Sequence, residues 1–81
     1  MTATELKRFM HRSPFIPFEI VVPGRKKNIS VPHTDFISIS PSGRIANVWF
    51  SDDNWASLDV FLIAAIETKS RNGKRGTASR K

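Results

Sequence analysis

The chain has no cysteine. That excludes a disulfide, a thiolate nucleophile and a Cys-ligated zinc. No apolar run approaches the ~20 residues that a helix needs to span a bilayer. Met1-Thr2-Ala3-Thr4-Glu5 has neither the basic start nor the apolar stretch of a secretory signal. We therefore expect a bacterial-type, cytoplasmic protein with no membrane partner. Catalytic signatures are missing as well. No serine sits in a nucleophile-elbow pattern, and neither a Gly-rich phosphate loop nor a zinc-protease motif occurs. Neither an enzyme nor a cofactor is expected. Acids, finally, are missing from the end of the chain. After Glu67 there is no Asp or Glu, and Ala78 is the one apolar residue.

What is present partitions sharply. Up to Thr68, seven basic residues balance seven acidic ones. The whole net charge of +6 resides in Lys69, Arg71, Lys74, Arg75, Arg80 and Lys81. A neutral domain with a basic tail differs from a basic domain, because only the tail then supplies non-specific attraction to polyanions. Residues 69–81 have too little apolar surface to offset the entropy of ordering, so a disordered basic tail is expected there. Residues 1–68 make one small domain, which buries only ~60% of its unfolded surface.

The domain is organised around Ser13-Pro14-Phe15-Ile16-Pro17-Phe18-Glu19-Ile20-Val21-Val22. Its two prolines stop any helix, and the alternation after Pro17 predicts a first strand with Phe18, Ile20 and Val22 on one face. Before it, Thr2 and Glu5 have capping-box spacing, and Leu6, Phe9 and Met10 form one apolar stripe. A short helix over about residues 3–11 follows. Lys27–Val31, Phe36–Ser40, Ile45–Phe50 and Trp55–Asp59 each read as strands. Between them come Pro23-Gly24-Arg25-Lys26, Pro32–Asp35, Pro41-Ser42-Gly43 and Ser51–Asn54. Both Gly24 and Gly43 are expected to be left-handed. Leu58, Phe61, Leu62, Ala65 and Ile66 fit a helical face, but one turn over Val60–Ile63 followed by a strand Ala64–Glu67 fits too. We take the second. The fold class is then mainly β: a short N-terminal helix and five or six antiparallel strands in a small barrel or roll.

Pro14-Phe15-x-Pro17-Phe18-x-Ile20, Gly24-Arg25, His33-x-Asp35-Phe36 and Ser40-Pro41-Ser42-Gly43-Arg44 occur in that order. This order resembles a group of small uncharacterised bacterial proteins with a proline-phenylalanine lead-in before a short β-rich domain. The resemblance spans about Phe9 to Glu67. It implies a family but no activity. At the level of architecture the chain resembles the SH3-like and Sm-like small barrels, folds that host many functions. No Sm sequence motif is present.

Several residue groups are candidates for chemistry. His33 and Asp35 suggest a base and its orienter, but no third group accompanies them, and a loop pair with Asp35 capping a turn is the simpler expectation. His11 is expected to be solvated at the helix end. Asp52-Asp53 suggest a cation site, or ordinary turn chemistry, which we prefer. Arg25, Lys26 and Lys27 form a cationic run on one loop and Arg44 lies on another. With Lys69, Arg71, Lys74 and Arg75 they suggest phosphate contacts. Phe15, Phe18, Phe36, Phe50 and Phe61 are expected in the core. Trp49 and Trp55 flank one turn, and Trp49 faces away from Val48 and Phe50. An exposed Trp there points to an interface. The expected function is thus a non-enzymatic interaction module, with a protein partner or a second copy of the chain docking on Ile45–Phe50. The alternative is a nucleic-acid-associated protein using the tail and the Arg25-Lys26-Lys27 loop.

Overall fold

The computed structural model describes residues 1–68 of the 81-residue chain. Helix α1 spans Ala3–Met10. Its first turn is closed reciprocally: the Glu5 amide donates to the Thr2 hydroxyl at 3.2 Å, and the Thr2 amide donates to Oε1 of Glu5 at 2.9 Å. Eight residues do not hold a helix in water. Burial of Leu6 and Met10 in the core supplies what propensity does not.

Six short strands follow: β1 Phe18–Val21, β2 Ile29–Val31, β3 Ile37–Ile39, β4 Ile45–Trp49, β5 Trp55–Asp59 and β6 Ala65–Thr68. All pair antiparallel. β1 is the middle of one sheet, with β2 and β6 at its sides, and β4 is the middle of the other, with β3 and β5 at its sides. In the first sheet Phe18 lies opposite Val31 and Thr68, and Ile20 opposite Ile29 and Ile66. In the second, Val48 lies opposite Ile37 and Ala56, and Trp49 opposite Trp55. Phe18, Ile20, Ile29, Val31, Ile37, Ala46, Val48 and Leu58 bury a common core, to which α1 adds its two residues.

The barrel expectation needs correction. The strands and their antiparallel order are as read, but they form two separate three-stranded sheets and do not close. Among the described residues no strand pairs with the outer edges of β5 and β6, and no backbone hydrogen bond joins the sheets. The chain crosses between sheets twice, each time through a single 3-10 turn, Thr34–Phe36 and Val60–Leu62. The second turn followed by β6 resolves the ambiguity of Leu58–Ile66 in favour of turn plus strand.

Two glycine positions are required by geometry. Gly24 has φ 89° and Gly43 has φ 77°, both left-handed. At Gly43 a Cβ would also meet Cβ of Ala3 at 3.1 Å, so this turn abuts the start of α1. The same turn is held by Ser40, whose amide donates to the Ile45 carbonyl at 2.8 Å and whose hydroxyl accepts from the Ile45 amide at 3.1 Å. That accounts for the Ser40-Pro41-Ser42-Gly43 stretch.

One core expectation fails. Phe15, Phe36 and Phe50 pack on the core as expected, but Phe61 is 57% exposed. A 3-10 turn has three residues per turn, so positions i and i+3 share a face. Val60 and Ile63 take the interior, and Phe61 and Leu62 are left outside.

Candidate interaction site

The second sheet turns Ile45, Asn47 and Trp49 of β4 away from the core, because Ala46 and Val48 between them are buried. Trp55 directly opposes Trp49. The two indoles lie 6.0 Å apart at 48°, with 47% and 57% of their surfaces exposed. The sequence leads us to expect one of the two indoles to be exposed, with Trp49 facing away from Val48 and Phe50; both are exposed. β4 is the central strand, so no edge of Ile45–Phe50 is open to a partner; what it presents is a face.

Beside Trp49 runs a cleft at the seam of the sheets. One wall is the β1–β2 loop and β2, with Arg25, Lys27, Asn28 and Ser30. The other is the end of β4 and its turn, with Trp49, Phe50 and Ser51, and Phe36 and Pro32 complete the lining. Among the described residues no carboxylate lines it. Among the described residues neither Arg25 nor Lys27 has an ion pair. The Asp52 carboxylate, in the turn that follows, is engaged locally. Asp52 accepts from the Asn54 amide at 3.1 Å and from its side-chain nitrogen at 3.0 Å. Asp53 adopts a left-handed φ of 70°, which an aspartate tolerates, and donates its amide to the Phe50 carbonyl.

The structure thus brings together Trp49, Arg25 and Lys27, with Trp55 against Trp49. Lys26 is exposed in the same loop, outside the lining. Arg44 is elsewhere. Its guanidinium stands 5.0 Å from the Phe61 ring centroid and 3.8 Å from the Asp59 carboxylate. Lys69, Arg71, Lys74 and Arg75 lie outside the described residues. Asn28, Ser30 and Ser51 were not singled out from the sequence. The alternation of Lys27–Val31 placed Asn28 and Ser30 on the outward face, which was a usable signal.

His33 and Asp35 form a local turn with the roles reversed from expectation. The Asp35 amide donates to Nδ1 of His33 at 3.2 Å, so the histidine caps the Thr34–Phe36 turn. Nδ1 also lies 3.4 Å from the Asp35 carboxylate. Among the described residues no three His, Asp or Glu side chains converge.

A second depression is lined by Pro14, Phe15, Ile16, Pro17, Phe18, Glu19 and Ser30. It is mainly apolar, and its one ionisable group, Glu19, accepts from the Asn28 side chain at 3.2 Å. No helix among the described residues is long and apolar enough to cross a membrane. No protein-family model matches the chain, and no curated protein or solved structure shows significant similarity to it.

Proposed function

We propose that this protein is a non-enzymatic interaction module that docks on a polyanionic partner in the cytoplasm. One observation carries the reading: Arg25 and Lys27, cations without a carboxylate partner among the described residues, share a cleft with the exposed indole of Trp49. Charges neutralised inside a fold attract little, whereas unneutralised ones in a concave site focus the field on an anion. The six cations after Thr68 add attraction of the same sign. The use of His33 as a cap supports binding over acid–base chemistry. The strand order supports a relative of the SH3-like and Sm-like folds, with β2 and β3 as halves of one bent strand broken at Thr34–Phe36. The motif order supports membership of the small bacterial group with the proline-phenylalanine lead-in.

Chromatography on heparin, a sulfated polyanion, tests the reading. The full chain should be retained well above about 0.15 M salt. Replacing Arg25, Lys26 and Lys27 by Ala should lower the eluting salt, and replacing Lys69, Arg71, Lys74 and Arg75 by Ser should lower it too. Wild-type protein that washes through at that salt removes the proposal.

A second reading, self-association, is favoured by the outer edges of β5 and β6, which no strand among the described residues covers, and by Phe61 and Leu62 exposed on the turn between them. Unprotected edges are templates for further pairing. Light scattering at tens of micromolar, an order-of-magnitude choice, should give more than one chain's mass for wild type and less for Phe61→Ser. A single chain's mass for both would exclude it.

A further inference from the structure

We propose that the seam cleft binds single-stranded nucleic acid, with backbone phosphates on Arg25 and Lys27 and one unstacked base on Trp49. The inference rests on the polyanion reading and names the partner class. Three features of the cleft select it. The first is charge: two cations without carboxylate partners among the described residues, in a lining with no acid, match a run of phosphates. The second is the aromatic. Trp49 is about half exposed and braced at 6.0 Å by Trp55, so a flat, amphipathic surface stands ready at one wall. A sulfated sugar or a polyphosphate has no planar ring to place there, and a duplex keeps its base faces stacked inside. A single strand offers both phosphate and open base. The third is the polar lining. The Ser30 and Ser51 hydroxyls and the Asn28 side chain, whose nitrogen also donates to Glu19, share the lining with the cations and the indole and can hydrogen-bond sugar hydroxyls or base edges.

The footprint is small. Two neutralised phosphates and one stacked base give weak to moderate affinity and little sequence preference, because every base has a π-face. The basic residues after Thr68 raise affinity for any polyanion alike, so they do not mask the contribution of Trp49 when full chains are compared.

The test uses the full chain and fluorescence anisotropy of a labelled twelve-nucleotide oligothymidylate, the matching duplex and inorganic polyphosphate, at about 0.15 M salt. Trp49→Leu changes an exposed side chain and should leave the far-UV circular dichroism unchanged. It should weaken single-strand binding about tenfold, the effect of losing one stacked base. Binding of polyphosphate should not change. The double replacement Arg25→Ala and Lys27→Ala should lower the slope of log affinity against log salt by about 1.4, two phosphates' worth for a single strand. The proposal is overturned if Trp49→Leu binds the single strand as wild type does, or if duplex or polyphosphate binds as tightly as the single strand. Either result alongside strong heparin retention leaves the polyanion reading standing and refutes only the cleft assignment. Loss of heparin retention as well refutes both.

Discussion

Phe18 shows how one residue ties the domain together. It is 2% exposed, and its ring lies 5.9 Å from Phe9 of the helix and 5.8 Å from Phe15 of the lead-in. Its strand is the middle of its sheet, so it also lies opposite Val31 and Thr68. Removing the ring takes away contacts to three segments at once. Phe18→Ala should cost about 3–5 kcal/mol. A domain this small has a total stability of about 3–10 kcal/mol, so the variant should be partly or wholly unfolded. Urea denaturation measures this, and a loss under about 1 kcal/mol would mean that the site repacks around the gap. Phe18 was legible as a core residue because strand alternation fixes which way it points. Phe61 was misread because a 3-10 turn has a different period, and no residue type in Val60–Ile63 announces which of the two apolar pairs turns inward.

At the scale of elements, α1 was legible almost to the residue. Caps are local chemistry, and Thr2 and Glu5 carry that chemistry in their own side chains. The same local bonds make the helix pH-sensitive. Hydrogen bonds from the Thr2 backbone and side chain, with help from the N-terminal ammonium and Arg8, hold the Glu5 carboxyl below its ordinary value of 4.5. A carboxyl with a lowered folded pKa stabilises the fold above its unfolded pKa, and that contribution fades as pH falls through the lowered value. Glu5→Gln abolishes this titration while keeping an oxygen that accepts from Thr2. Thermal melts from about pH 6 to about pH 3 should show a loss in wild type that the variant lacks. Equal slopes in both proteins would show that the capping carboxylate contributes nothing. The strands were legible for a similar reason, since proline, glycine and short polar side chains punctuate them. Their true ends fall short of the apolar runs: β2 starts at Ile29 where alternation begins at Lys27, because Lys27 and Asn28 still belong to the loop.

At the scale of the whole molecule, less could be read. Whether a sheet closes depends on lateral pairing of backbones, and side-chain pattern carries no record of it. β5 and β6 have the composition of barrel strands, yet they do not meet. The cleft was hidden for the same reason. Arg25 and Trp49 are far apart in sequence and adjoin only because the β1–β2 loop of one sheet comes to lie beside the β4–β5 turn of the other. Charge on the loop and exposure of the indole were each legible; their juxtaposition was not.

The two sheets behave mechanically as plates joined at two pins. Each plate is stiffened internally by its ladders, while only side-chain packing and the turns at Thr34–Phe36 and Val60–Leu62 resist a change in the angle between them. Tilting one plate on the other breaks no ladder hydrogen bond among the described residues, so the angle is held by side-chain packing and the two turns. The jaws at Arg25 and Trp49 sit on opposite plates, and their gape is set by that angle.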